Sequence, residues 1–365
     1  MNVMMLLEMA AGTFEDRPAL TCDGESFSYT ELFAAAGSAA SDVTASQAEQ
    51  LALLDLSGPA VPVALFGAAC AGVPFVPLNY RLSADELDGL GQRISPAVLV
   101  TDAKRKAAME TGGHPHFVGV HESSSFSSRH LKSIERPEAW DMDPERVAIL
   151  LFTSGTTGAP KAAVLRHRHL TSYILGAVEF ASADADECAL VSVPPYHIAG
   201  MAALLSNIYA GRRIVQLPQF EASDWIDLVE AQSITHAFVV PTMLSRIVET
   251  LDERGSASAL GSLSALAYGG GKMPLNVIER AMAMLPDVSF TNAYGLTETS
   301  STISVLGPDA HRDAASSADP EVRRRLTSVG QPLPTIDLEI RDGAGRPVPA
   351  GTRGEIFVRA EQVSG

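Results

Sequence analysis

Apolar positions along the 365-residue chain fall mostly into short unbroken runs, separated by longer stretches with helical spacing. Short apolar runs bounded by turn residues fit strands buried on both faces. Their alternation with helix-length segments predicts doubly wound α/β sheets. Residues 51–56 read as a strand, followed by a helical stretch toward Cys70 and a strand over 73–78. Residues 95–100 and 117–120 read as further strands, and the Ser-rich stretch 121–129 as a surface loop. Ser28 with Glu31 and Ser83 with Glu86 form capping boxes, in which a hydroxyl takes an orphan helix amide and the Glu reaches back. A second α/β run opens at 147–152 and continues through strands at 189–193, 213–217, 236–240, 263–268 and 288–292. After Gly307 the texture changes. Residues 310–325 are polar, and short β-like runs at 336–340 and 354–359 are punctuated by Gly343, Gly345, Pro347, Pro349 and Gly351. The pattern divides the chain at about residues 145 and 306 into two α/β parts and a smaller β-rich part.

Composition narrows the function classes. With 46% apolar and 19% charged residues a large core is easily built. The 27 basic and 43 acidic residues give a net charge of −16, which argues against a nucleic-acid binder that works through a basic face. Any phosphate must be held by a local loop. Cys22, Cys70 and Cys188 lie far apart with no metal spacing, so a reduced, cytoplasmic location is expected. The uncharged run 60–78 approaches bilayer length, but Pro62, Gly67, Gly72, Pro74 and Pro77 break it, and no integral membrane segment is expected. The apolar start, 1–12, is interrupted by Glu8 and lacks the leading basic residues of an export signal.

The strongest chemical signal spans 151–161. An apolar strand runs into small and hydroxylated residues and then Pro160 and Lys161. Gly155 and Gly158 let backbone approach a ligand, while Thr153, Ser154, Thr156 and Thr157 supply hydroxyls. Exposed amides of such a loop form an anion-binding nest, to which Lys161 adds a point charge. The spacing is not that of a P-loop, and no Ser or Thr follows the Lys. The competing reading is a plain Ser/Thr/Gly linker.

This string resembles the phosphate-loop signature of the adenylate-forming superfamily, which comprises acyl-CoA synthetases, peptide-synthetase adenylation domains and luciferases. Further strings agree in the family's order: 72–80, 193–200 (the acyl-site motif), 267–274 (the adenine-site loop), 292–299 (the magnesium and adenylate motif), 330–334 and 354–356. The chain is most like an acyl-CoA synthetase. The resemblance implies two doubly wound α/β subdomains plus a smaller distorted β-barrel-like one, together forming a large N-terminal AMP-binding domain. Family members continue with an Asp for the ribose hydroxyls, a hinge and a small C-terminal domain carrying a catalytic Lys. None of these appears before Gly365.

The strings also read physically. Gly269, Gly270 and Gly271 follow an apolar strand, where absent side chains let a flat base lie on the backbone; a tight strand-to-helix turn explains them equally well. In the stretch Asn292, Ala293, Tyr294, Gly295, Thr297 and Glu298, the Tyr ring offers a stacking face. Thr297 can donate to an α-phosphate oxygen. Glu298 is a hard oxygen ligand suited to Mg²⁺ on ATP, with a solvated loop carboxylate as the plainer alternative. His197 lies between Tyr196 and Ile198 after a Pro-Pro break. A lone His in such surroundings is more often structural, but the resemblance places it between the carboxylate pocket and the thiol tunnel. Peptide-synthetase domains usually carry an Asp here for a substrate ammonium. Its absence favours an acid without an α-amino group. The acyl pocket is expected from Tyr196, His197, Gly200, Met201, Val240, Tyr268 and Gly269. His167 and His169, two apart on a helix, receive no chemistry, and Arg323–Arg325 reads as a solvated charged loop.

The resemblance implies that a fatty or aromatic carboxylic acid is activated with ATP and Mg²⁺ to an acyl-adenylate plus pyrophosphate, then passed to coenzyme A. His197, Lys161, Thr297 and Glu298 would carry the chemistry. Two alternatives remain open at this level: loading of a carrier protein instead of coenzyme A, and a nucleotide-binding fragment with little turnover. A homodimer is also open.

Overall fold

The computed structural model describes residues 1–22, 24–153 and 160–364. The first strands in chain order are β1 (Pro18–Cys22), β2 (Glu25–Ser28), β3 (Gln50–Leu54), β4 (Phe75–Pro77), β5 (Ala97–Thr101) and β6 (Phe117–Glu122). Then follow β7 (Val147–Thr153), β8 (Lys161–Arg166), β9 (Cys188–Val191), β10 (Arg213–Gln216), β11 (His236–Val239) and β12 (Ala265–Gly269). The last five are β13 (Ser289–Leu296), β14 (Ser301–Leu306), β15 (Gln331–Pro332), β16 (Asp337–Arg341) and β17 (Glu355–Arg359). The helices are α1 (Met4–Phe14), α2 (Tyr29–Ala45), α3 (Ala60–Ala71), α4 (Ala84–Ile94), α5 (Ala103–Gly112) and α6 (Ser123–His130). They continue with α7 (His167–Ala177), α8 (Ile198–Ala210), α9 (Ala222–Gln232), α10 (Pro241–Arg254), α11 (Leu275–Met284) and α12 (Pro308–Ser316). Both expected capping boxes form, at the starts of α2 and α4.

Six strands make one sheet in the order β6-β5-β3-β4-β7-β8, and nine make another in the order β15-β14-β13-β12-β11-β9-β10-β1-β2. Strands β16 and β17 form a separate antiparallel pair. Side-chain alternation assigns each strand two faces. In β3, Leu51 and Leu53 enter a large central core with α1, α2, α3 and α8, whereas Ala52 and Leu54 enter a smaller one beneath α4. In β9, Val191 faces the central core and Cys188 and Leu190 join the core under α9, α10 and α11. The central helices therefore lie between the two sheets, and each sheet has an outer helical layer.

Sheet membership does not follow the chain order that the sequence suggested. β7 and β8, expected to open the second α/β part, extend the first sheet, because β7 pairs in parallel with β4 and β8 folds back on β7. β1, in turn, joins the second sheet beside β10. The Ser-rich stretch 121–129 is also largely helical: Phe126 and His130 sit one helical turn apart and are both buried, which gives α6 an apolar edge. Among the described residues, no helix is long and apolar enough to cross a membrane. The run 60–78 becomes α3 and β4, both inside the core.

Candidate active site

Strands β12 and β13 run in parallel with Gly269 opposite Ala293. A Cβ at Gly269 would lie 2.1 Å from the Ala293 carbonyl oxygen, so the neighbouring strand demands this glycine; Gly270 turns the chain at φ 76°. β13 continues beyond its neighbour, bulges between Tyr294 and Gly295, and returns as β14. A Cβ at Gly295 would lie 1.6 Å from the Ser301 carbonyl oxygen, so the two arms cross in near backbone contact. Residues Thr297–Thr299 form one 3₁₀ turn between them. Ser300 and Ser301 then take φ values of 52° and 103°, a region non-glycine residues rarely occupy. Thr299 holds the turn through its hydroxyl, which donates to the Leu296 and Ser301 carbonyl oxygens and accepts from the Leu296 amide.

Thr297 is half-buried and Glu298 exposed on this turn. β8, which begins with Lys161, packs against it. Thr153 and Lys161 sit opposite each other at the open end of the β7–β8 pair, and the Thr153 hydroxyl donates to the Lys161 carbonyl oxygen. Arg93, at the end of α4, donates to the Pro160 carbonyl oxygen at 2.6 Å and lies over the Phe152 ring. The Lys161 ammonium and the Glu298 carboxylate make no hydrogen bond or ion pair to any described residue. The proposed phosphate ligands Ser154, Gly155, Thr156, Thr157 and Gly158 lie outside the described residues.

Two cavities are lined by residues at the start of α8. The first, about 370 Å³, is lined by Tyr80, Arg81, Tyr196, His197, Val240 and Arg246 among others. The His197 backbone caps α8. Although the residue is solvent-accessible, partial desolvation of its ring by the pocket walls, and then the Arg81 guanidinium, push its pKa down, so the neutral imidazole is favoured at pH 7. Gly200 lets this first turn close: a Cβ there would lie 2.7 Å from the Pro194 carbonyl oxygen. The second cavity, about 250 Å³, is a slot between α8 and the nine-stranded sheet. Ala199, Ala202, Ala203 and Ser206 wall it from α8, and Phe238, Ala267, Thr291 and Ala293 from the sheet. Its wall also includes Ser301 and Thr302, just beyond the Glu298 turn.

Two sequence assignments need correction. Tyr268 does not line an acyl pocket: strand alternation sends it to the face opposite Ala267, where it is fully buried and its hydroxyl bonds His311 Nε2 at 2.8 Å. Met201 is likewise core, because α8 turns Met201, Leu204, Leu205 and Ile208 inward and its alanine face toward the slot. Asn292 is buried, with one proton of its amide donated to the Ser328 carbonyl oxygen at 2.8 Å, which leaves its second N–H and Oδ1 for a ligand. The slot alanines were missed since small apolar residues carry little signal individually. Their spacing of three and four on α8 was readable. Arg81, Arg93 and Arg246 had no local motif to mark them.

One exposed carboxylate with neighbouring hydroxyls is a fair partner for Mg²⁺ that arrives on phosphate oxygens and keeps its waters. Among the described residues no cluster of three His, Cys, Asp or Glu exists to hold a metal independently. Glu298, with its carboxylate unpaired among the described residues and its turn tied by hydrogen bonds, therefore fits a metal brought in with the nucleotide.

Comparisons with known proteins bear on the family and the fold. The chain is 31% identical over 354 residues to the fatty acid–acyl-carrier-protein ligase ScoC of Streptomyces coeruleorubidus, covering 93% of this chain and 65% of that protein. It is 29% identical over 325 residues to a feruloyl-CoA synthase of an Amycolatopsis species, covering 86% and 60%. Thus it spans less than two thirds of the length of these relatives. Among solved structures, the o-succinylbenzoate CoA synthetase of Bacillus subtilis in complex with its acyl-adenylate intermediate aligns with a TM-score of 0.80 at 25% identity, covering 98% of this chain and 70% of that one. The N-terminal domain of FACL13 from Mycobacterium tuberculosis shares the fold, with a TM-score of 0.84 at 21% identity, covering 100% and 90%. The family model described as AMP-binding enzyme matches residues 7–365, and the chain belongs to that family, within the adenylate-forming superfamily.

Proposed function

We propose that this chain forms the nucleotide- and acid-binding part of an ATP-dependent acid–thiol ligase. The observation that carries the reading is that the slot runs up to Ala293, Ser301 and Thr302, the residues flanking the Tyr294–Glu298 turn. An acid lying in the slot would present its carboxylate where a nucleotide on that turn presents its α-phosphorus.

In the first step the carboxylate oxygen bonds to the α-phosphorus, the bond to the β-phosphate breaks, and pyrophosphate leaves. Negative charge grows on the phosphoryl oxygens as this happens. Lys161 offsets it as a fixed cation, Thr297 donates a hydrogen bond, and Glu298 would hold the magnesium. That ion, when bound, supplies Lewis-acid stabilisation of the phosphate charge. In the second step a thiol sulfur attacks the acyl carbon and AMP departs, with the thiol proton passing to solvent or to a base. We assign His197 to orient the acid and gate the thiol: its backbone opens α8 and its ring lines the first cavity, while Ala199, two residues on, walls the slot. Arg81 and Arg246 on the first cavity suit an entering pantetheine arm with its phosphate. The similarity to ligases named for carrier-protein and coenzyme A acceptors supports a thioester product and leaves its carrier to experiment.

The test is acid-dependent exchange of labelled pyrophosphate into ATP, followed by product analysis with coenzyme A and with a carrier protein. Exchange with no acid from a panel of aliphatic and aromatic carboxylates would overturn the ligase reading. Thermal shift with non-hydrolysable acyl-adenylate mimics isolates binding. At ~100 times its dissociation constant, such a mimic stabilises the native state by roughly 2.7 kcal/mol. No shift with any mimic would remove the adenylate site from this chain.

A further inference from the structure

The turn that carries Thr297 and Glu298 does not hold itself. Its return arm passes through two consecutive serines at positive φ, and Ser301, at 103°, is far from any conformation that L side chains favour. Such backbone persists only where its surroundings over-determine it. Thr299 contributes from inside the turn. The β13–β14 pairing and β8 hold its flanks, and further support comes from the segment that follows β17. Gln362 is 1% exposed, and its amide nitrogen donates to the Thr299 carbonyl oxygen at 2.8 Å and to the Thr302 carbonyl oxygen at 2.9 Å. These two carbonyls bracket the serine pair. Two residues on, the Ser364 amide and hydroxyl both donate to the Glu298 carbonyl oxygen, at 2.7 and 3.0 Å.

We infer that Gln362 and Ser364 form a latch that fixes the Glu298 carboxylate for magnesium, so that Gln362 is a positioning residue for the metal-bound nucleotide. The inference rests on the functional reading above for its ligand, but the latch itself rests on the contacts just described. One side-chain amide, with both its protons used, clamps the backbone on each side of the strained pair. A methionine of similar length cannot donate, and would take this donor from the buried Thr299 carbonyl and the half-buried Thr302 carbonyl. Thr297 and Glu298 would then stand on a turn free to relax toward ordinary φ values. Partners that orient a metal ligand typically account for about 10–100-fold in metal affinity or activity.

The experiment compares unaltered protein with Gln362→Met and with the milder Ser364→Ala, which removes one hydroxyl bond. Two readouts are taken: amide hydrogen exchange over 296–303, and ATP affinity by calorimetry with magnesium and with EDTA. Gln362→Met is expected to speed exchange in that segment and to weaken binding with magnesium about 10-fold. Binding in EDTA, where only the Thr297 hydrogen bond is at stake, should weaken by a clearly smaller factor. Ser364→Ala should move both readouts the same way by a smaller factor. Equal weakening with and without magnesium would overturn the positioning role, since a merely structural residue acts on both. Exchange as slow in Gln362→Met as in unaltered protein would overturn the latch. Unaltered protein that binds no ATP in either condition would overturn the nucleotide reading, while the exchange comparison still decides the latch.

Discussion

Under the proposed function Glu298 would hold the magnesium that offsets charge growing on the transferring phosphoryl group. Removing one preorganised stabiliser of this kind costs at least ~100-fold in rate. Glu298→Ala should therefore cut pyrophosphate exchange by that factor, and activity within a few-fold of the unaltered enzyme would reject the role. The same proposal gives His197 to the other step. With its ring on the first cavity and its pKa held down, it would serve the thiol side as a neutral group. His197→Ala should slow thioester formation in single-turnover kinetics far more than it weakens ATP binding, and an unchanged thiolysis rate would sink the assignment.

At the scale of elements, α8 makes the decisive division. One face is Met201, Leu204, Leu205 and Ile208 in the core, and another is Ala199, Ala202, Ala203 and Ser206 on the slot. Ala203→Phe should fill the slot and restrict exchange to the shortest acids, with ATP binding intact. Met201→Ala should lower stability by about 2–5 kcal/mol, read by urea unfolding, without altering acid preference. The reverse pattern would exchange the two faces. Here the limits of the sequence become concrete. Both capping boxes, the strand preceding the Gly269 loop and the whole motif order were legible, since each depends on neighbours within a few residues. The slot beside α8 was not. Tyr268 and Met201 looked like pocket walls because they are large and lie beside motifs, yet one alternation along β12 and one helical turn of α8 point them away. Asn292 was legible as a motif residue, but its bond to Ser328 depends on a segment 36 positions later. The Gln362 contacts, 60 and 63 positions back, were beyond local reading altogether.

For the molecule as a whole, two buried histidines set an acid limit. Burial, then Arg129, pushes His130 down to about 4; Asp42 acts in the opposite sense. Burial, then the N-terminal amine and Arg146, does the same to His167, against Asp141 and Asp143. His167 Nδ1 accepts the Val3 amide, a role it can fill only when neutral. Since the unfolded chain takes up these protons near pH 6.5 and the folded one only near 4, both stabilise fully above about pH 6.5. That contribution is lost as pH falls toward 4. Urea midpoints should decline across this window, and His130→Gln or His167→Gln should flatten the decline even if each variant is less stable at pH 7.

The crossing of strands between sheets has a consequence for how the protein is made. β1 is added beside β10, with Leu20 opposite Ile214, so an early strand takes its place only when a much later one arrives. At synthesis rates of about 5–20 residues per second, the first hairpin waits roughly ten to forty seconds for its neighbour. During that interval its edge is unsatisfied and its apolar face uncovered. A ribosome-bound chain halted before residue 213 should therefore recruit holding chaperones, and one released past residue 216 should shed them.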